Sequence, residues 1–411
     1  MAVIRPFKAL RPRKEVAHLV ASVPYDVVNR EEAAELAKDN PLSFLRVTRS
    51  EIELPPDVDP YDKIVYEKAR ENLERLKNEA PLIQDETPKF YVYKLTMGEQ
   101  TQVGIAATFS VEDYDKNVIL KHEKTRKVKE DDRTNHIITT RAQTGAVFLT
   151  YKGVHEVDEA VEKTMKNEPL YSFTASDGIE HVIWEMPEDY NDIVIFEIEK
   201  VKNLYIADGH HRAASASRAQ KMLKEQSVTH TGEEEYNYFL AVLFPAEQLK
   251  ILPYNRVIFD LKGLSENEFL EKVKENFSVE ETDNPNPPAR KNICMYLSGK
   301  WYLLKPNENV KETEGSIGEN LDVSILQKYL LTPILGIKDP RTDNNIDFIG
   351  GIRGTTELEK LVNSGKAKVA FSMFPVSVDD LMNIADAGEI MPPKSTWFEP
   401  KLRDGLLIHT I

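Results

Sequence analysis

Cysteine is nearly absent: the 411 residues contain one, Cys294. A lone cysteine excludes an intrachain disulfide framework and a cysteine-cluster metal site, and it fits a reducing compartment. Long apolar runs are missing too. No stretch approaches the roughly 18 to 20 apolar residues of a membrane span, and Met1 to Val16 lacks the apolar segment of a secretory signal. A cytoplasmic protein without membrane partners is expected. Positive charge is in deficit, with 53 Lys and Arg against 68 Asp and Glu, a net charge of −15. A nucleic-acid binder needs a basic surface to displace counterions from phosphates, and a global acidic field opposes that association. No nucleic-acid partner is therefore expected. There is no internal repeat and no low-complexity tract.

What is present is ordinary globular material, 41% hydrophobic and 29% charged. The length suits two or three domains. A short helix is predicted over Glu31 to Lys38, ended by Asn40-Pro41, and a longer one over Tyr61 to Asn78, where Ile64, Val65, Ala69, Leu73 and Leu76 recur at helical spacing. Phe90 to Leu95 and Gln102 to Val111 read as a hairpin around Met97-Gly98-Glu99-Gln100. Further strands are expected at Gly145 to Thr150, His181 to Met186, Ile193 to Glu199, Leu204 to Ala207 and Tyr236 to Phe244, with a helix over Ala213 to Lys224. In the last third, Ser265-x-x-Glu268 is a capping box, and Ile293 to Ser298 with Trp301 to Lys305 reads as a second hairpin. Helices are expected over Asp322 to Leu331 and Ser377 to Ala387, the latter closed by Gly388, and a strand over Lys368 to Phe374. The alternation predicts an α/β (α+β) fold with a mixed sheet. The expected division is an N-terminal segment over 1–88, a core over 89–258 and a C-terminal α/β domain over 259–411.

One segment concentrates chemistry. The apolar run Leu204-Tyr205-Ile206-Ala207 ends in Asp208-Gly209-His210-His211-Arg212, and a small-residue helix follows. The first amides of a helix have no internal partner and carry partial positive charge, so an anion is favoured there. Gly209 permits close backbone approach, and Arg212 suits phosphate oxygens. Asp208 is positioned to hold a metal ion or orient a histidine. The plainer alternative is a bare helix start that Asp208 caps. Zinc is disfavoured, because adjacent His210 and His211 diverge on a helix and no His-Glu-x-x-His pattern is present. A second polar run, Lys121 to Arg133, holds His122, Glu123 and Thr125. Its plain reading is a solvated charged loop, with Arg126, His136 and Arg141 as weaker neighbours. Near the end, Pro392-Pro393 sets an extended path before Lys394, Ser395 and Thr396, which offer phosphate-type contacts beside Trp397 and Phe398. Gly350 to Gly354 lacks the order of a P-loop and reads as a turn, with Arg353 a minor candidate. Cys294 falls in an expected strand, where a buried thiol is inert.

Asp208 to Arg212 followed by a small-residue helix resembles the signature of the ParB/sulfiredoxin superfamily, and most closely its free L-serine kinase branch. His122-Glu123-Lys124-Thr125 is similar to that branch's upstream Pro-His-Glu-like segment, with Lys121 where proline is usual. Nearly the full length also resembles the prokaryotic domain-of-unknown-function 1015 family, described as ParB-like or SpoOJ-like. That resemblance is carried by Arg5-Pro6-Phe7, Pro24-Tyr25-Asp26-Val27, His122 to Thr125, Asp208 to Arg212, Leu252 to Arg256 and Met391 to Thr396. It implies a ParB/sulfiredoxin-like nucleotide-binding core and a kinase acting on a small hydroxyl metabolite, with free L-serine as best guess. It implies Glu123 as general base, with His122 and Asp208 beside it. Gly209, His210, His211, Arg212, Thr125, Lys394, Ser395 and Thr396 are then expected at the nucleotide phosphates, and Tyr25, Asp26 and Arg256 at the substrate. ATP or ADP is the implied donor, with Mg2+ on the phosphates and Asp208. A homodimer is the assembly to test. The alternative is a nucleotide-binding regulator of the same fold without kinase activity. Repair of oxidised cysteine is disfavoured, because His210 stands where that chemistry needs a thiol.

Overall fold

Strand signals in the first half condense into one mixed sheet. The computed structural model describes residues 2–80 and 82–411. The chain divides into two compact units. The first comprises Met1–Lys121, Thr125–Leu249 and Pro400–Ile411, and the second His122–Lys124 with Lys250–Glu399.

In the first unit a nine-stranded sheet runs in the order Ile119–Leu120, Leu204–Asp208, Val147–Tyr151, Tyr238–Pro245, Gln100–Ser110, Tyr91–Met97, Glu180–Glu185 and Tyr171–Thr174, with Ile4–Arg5 paired to Gln100–Ser110 off this path. Leu204–Asp208 lies parallel to Ile119–Leu120 and antiparallel to Val147–Tyr151, so the sheet is mixed. The hairpin expected around Met97 to Gln100 forms, with Met97 opposite Gln100. Val147, Leu149, Ile206, Ala241 and Leu243 share one buried cluster, which explains the near-continuous apolar strands. A smaller four-stranded sheet orders Ile83–Gln84, Ala9–Arg11, Ile408–Thr410 and Ala142–Gln143.

Two local expectations are corrected in this unit. Ile193 to Glu199 was expected as a strand because it is dense in β-branched residues. It lies in the helix Asn191–Lys200, where Val194 and Ile198, four residues apart, are buried and Phe196 is exposed. The tertiary stripe outweighs local propensity. The polar run after Lys121 is not a loop throughout, since Lys127–Thr140 is a helix. Its buried residues include Asp132, Thr134 and His136, so no apolar period announces it.

The second unit carries a six-stranded antiparallel sheet in the order Phe277–Thr282, Lys300–Pro306, Ile293–Leu297, Val369–Met373, Tyr254–Ile258 and Ile346–Gly350. The capping box at Ser265 and Glu268 is formed, and Ser377 with Asp380 makes another. Among the described residues, no helix is long and apolar enough to cross a membrane.

Candidate functional site

The strand Leu204–Asp208 is buried through Ala207, and its apolar run stops where the chain turns. Gly209 makes the turn with φ of 93°, a left-handed conformation that costs an L-residue energy. A Cβ there would also lie 3.4 Å from Val147 Cα. The helix His210–Gln226 then begins with Gly209 at its N-cap, a residue with no side chain to cap the first amides. Its inner face is built from small residues, including Ala213, Ala214, Ala216 and Ala219. Ser215 donates to the Glu130 carbonyl at 3.1 Å, and Arg218 pairs with Asp131 and Glu130, which ties this helix to Lys127–Thr140.

Asp208 does not cap that helix. Its Oδ1 accepts the Gly209 amide at 2.9 Å, and its Oδ2 lies 3.2 Å from Lys401 Nζ. Burial favours the neutral acid, but Lys401 and Arg212 outweigh it and hold this carboxyl well below the usual carboxylate range. Arg212 is nearly buried. It donates through Nη1 to the Ala146 carbonyl, and its Nη2 lies 3.6 Å from Asp26 and 4.0 Å from Asp208. Burial opposes its charge, and Asp26, Asp208 and Asp404 restore it, so its pKa is raised. One nitrogen of the guanidinium expected to fork onto phosphate is thus tied to the protein, while Nη2 is buried with ion-pair neighbours but no hydrogen-bond partner.

Asp404 is buried, its backbone exchanging hydrogen bonds with Ser22 at 2.9 and 3.1 Å. Burial pushes its carboxyl up to about 7, although Arg212 pulls the other way. Gly145 makes room for it, because a Cβ there would meet Asp404 Oδ1 at 2.6 Å. Tyr25 is buried with the Arg133 guanidinium 4.1 Å from its ring centroid. Arg133 in turn donates to both Asp132 oxygens at 3.0 Å. A void of about 30 Å³ lies among Tyr25, Arg133, Gly145, Arg212 and Asp404. It has room for about one water and none for a nucleotide.

The remaining expected residues of this unit have local duties. His211 accepts the Arg126 amide at Nε2, 3.0 Å away, which puts its proton on Nδ1. His210 is buried and adds to the positive field on Asp208. Thr125 donates to Glu130. His136 accompanies the Val47 carbonyl at 3.0 Å, and burial pushes it down to about 4, so it is neutral at pH 7. Arg141 is exposed at the left-handed end of its helix.

In the second unit, His122 is buried and its carbonyl accepts the Met391 amide at 2.8 Å, with Glu123 next in the chain. Ser395 is buried and donates to the Pro392 carbonyl at 2.6 Å, a contact that locks the turn. Lys394 holds φ of 57°, its Nζ lies 5.3 Å from the Tyr254 ring centroid, and its carbonyl accepts from Arg256 at 3.1 Å. Thr396 precedes the two-residue strand Trp397–Phe398, which pairs with Ile251–Leu252. Trp397 packs edge-on to Tyr254 at 5.1 Å and donates to Glu399 at 2.9 Å. Arg353 ends a single 3₁₀ turn. Burial pushes the Cys294 thiol up to about 11, as suits an inert strand residue.

Tyr25, Asp26, Asp208, Gly209 and Arg212 are thus brought together. Sequence reading missed Lys401, Asp404, Asp132 and Arg133. Lys401 and Asp404 reach this site from the far end of the chain, which no local signal reports.

A family model described as "Protein of unknown function (DUF1015)" matches residues 4–324. No curated protein matches. Among solved structures, a conserved hypothetical protein from Pyrococcus furiosus is 13% identical, with 74% of this chain and 94% of that chain covered and a TM-score of 0.37. A free serine kinase in complex with AMP is 12% identical, with 74% and 91% covered and a TM-score of 0.37. SbnI with a C-terminal truncation, from Staphylococcus aureus, is 12% identical, with 73% and 85% covered and a TM-score of 0.38. Likeness this low identifies no activity.

Proposed function

The chain belongs to the DUF1015 family, described as of unknown function, and we propose that it binds the phosphates of ATP or ADP at the Asp208–Arg212 turn and transfers a phosphoryl group to a small hydroxyl metabolite, free L-serine being the best candidate. One observation carries this reading. The helix His210–Gln226 opens behind a left-handed glycine with no capping side chain, and Asp208, the residue before that glycine, has its Oδ2 on Lys401. An oxyanion at such a helix start gains from the amides and the dipole. The motif resemblance to the ParB/sulfiredoxin superfamily supports the same reading and supplies the choice of acceptor.

In the proposed reaction the metabolite's hydroxyl oxygen forms the new bond to the terminal phosphorus. The bond from that phosphorus to the bridging oxygen breaks, and its electron pair leaves with the shortened nucleotide. The hydroxyl proton passes to the Glu123 carboxylate as general base. Arg212 serves the phosphates in this scheme, its Nη1 tied to the Ala146 carbonyl and its Nη2 without a hydrogen bond beside Asp26 and Asp208. Asp208 does not suit a resident Mg2+, because Lys401 and Arg212 already neutralise it. Mg2+ therefore belongs to the nucleotide substrate in this scheme.

Incubating the purified chain with ATP or ADP and L-serine should yield O-phosphoserine by 31P NMR. Glu123→Gln should lower turnover about 100-fold to 10,000-fold and leave nucleotide affinity unchanged. Absence of turnover across nucleotides and hydroxyl metabolites, with nucleotide still bound, would favour the non-catalytic regulator. Failure to bind any nucleotide would remove both readings.

A further inference from the structure

Arg256 sits mid-strand in Tyr254–Ile258, opposite Phe348 on the neighbouring strand, and is 3% exposed. Two of its N–H groups go to carbonyls, Nη1 to Tyr254 and Nη2 to Lys394 at 3.1 Å. Its guanidinium carbon lies 5.3 Å from the Phe348 ring centroid. Among the described residues, no carboxylate pairs with it. A buried cation without a counter-ion is costly, and burial accordingly pushes this guanidinium down to about 9.

A cavity of about 350 Å³ opens beside it, within the usual range for small-ligand pockets. Val323, Ile346, Phe348 and Pro393 give it apolar walls. Gln327 lines it from the first residue of a π-helical turn, Gln327–Leu331, a widened geometry that recurs at functional sites. Gln327 Nε2 is anchored to the Ile337 carbonyl at 2.6 Å, so that wall is held in place. The other charges on the lining, Glu319 and Lys328, lie 3.6 Å apart and offset each other. Arg256 is left as the uncompensated charge of the cavity.

We infer that this cavity binds a small monocarboxylic acid with an apolar body, its carboxylate seated on Arg256. A planar guanidinium matches a carboxylate in shape and charge. The apolar walls suit the remainder of such a ligand and offer nothing to a phosphate dianion, whose second charge would go unanswered. The inference rests on the second unit alone and is independent of the nucleotide reading.

The test uses the full chain with phenylacetate and 4-methylpentanoate as probes, read by thermal shift and calorimetry. Both acids should bind saturably at millimolar concentration, whereas phenylacetamide and inorganic phosphate should not. Arg256→Gln should weaken phenylacetate at least about tenfold. Val323→Trp fills the cavity from its wall without touching the guanidinium, and should abolish binding even if Arg256→Gln folds poorly. The inference is overturned if neither acid binds, if phosphate or the amide binds equally well, or if Val323→Trp binds like the wild type. Nucleotide affinity measured in the same Val323→Trp protein should be unchanged, which keeps this result separate from the fate of the kinase reading.

Discussion

Two buried arginines solve the same electrostatic problem in opposite ways. Arg212 in the first unit is surrounded by acids, with Asp26 and Asp208 within 4.0 Å and Asp404 in its field. Arg256 in the second unit meets two carbonyls and an aromatic face. The first guanidinium is raised in pKa and the second lowered, although burial acts on both in the same direction. The difference lies in the supply of carboxylates. A cation whose counter-charge is built into the protein is a structural brace. A cation without one stores a desolvation cost that an anionic ligand relieves.

The largest expected effect tests that distinction directly. Asp208→Ala removes a carboxylate that answers both Arg212 and Lys401, whose side chains are only 10% and 12% exposed. Breaking a buried pair from one side costs about 3 kcal/mol, and the partial exposure of Asp208 reduces this to about 2 kcal/mol. Arg256→Gln removes a charge that has no partner and retains an N–H donor for the carbonyls, so its change should stay under about 1 kcal/mol. Urea unfolding of the two variants measures both. Equal losses would erase the contrast between the two arginines.

That contrast was only partly legible in the sequence. Asp208, Gly209 and Arg212 stood out because strand end, turn glycine and helix start are adjacent in the chain, and a local pattern suffices to see them. Asp26 entered only through the family resemblance. Lys401 and Asp404 come from the segment 400–411, which folds with residues before 250. Contacts across such distances leave no local signature, as the pairing of Ile408–Thr410 with Ala9–Arg11 also shows. The helix Lys127–Thr140 was hidden for another reason. Its buried face carries Asp132 and His136, so the hydrophobic period that reveals the Lys63–Glu79 helix is missing. Asn191–Lys200 misled in the opposite sense, because isoleucine and valine spaced for a helix also satisfy a strand.

Backbone strain sharpens the comparison at the next scale. Gly209 holds φ of 93° beside Arg212, where glycine bears the left-handed conformation without penalty. Gly209→Ala should cost about 1 to 2 kcal/mol through that conformation and the tight approach to Val147. Lys394, whose carbonyl receives Arg256, holds φ of 57° with a full side chain. There the substitution runs the other way. Lys394→Gly should change stability by no more than about 1 kcal/mol and in the stabilising direction, relief of strain outweighing the added freedom of the unfolded chain. A destabilised Lys394→Gly would show that its side chain contributes more to the fold than the conformation costs.

The last expected effect is a slope in pH, and it concerns two buried acids, one in each unit. Burial pushes Asp404 up to about 7 and Asp322 up to about 6. A carboxyl raised on folding keeps its proton while the unfolded chain has lost it, so each contributes stability that falls as pH rises from about 4 to its folded pKa. His136, pushed down to about 4, and His181, to about 3, act with the opposite sign as pH rises toward 6.5. They mask the acids in the wild type and cancel when a variant is compared with it. Asp208, held low, is ionised in both states throughout this window and adds no slope. Relative to the wild type, Asp404→Asn should therefore gain about 1 kcal/mol between pH 5 and 6 and continue to gain toward pH 7. Asp322→Asn should gain similarly between pH 5 and 6 and then level off. Identical profiles above pH 6 would mean that Asp404, like Asp322, has ionised by about pH 6. Arg212 would then face three full negative charges, which would make its contrast with Arg256 still larger.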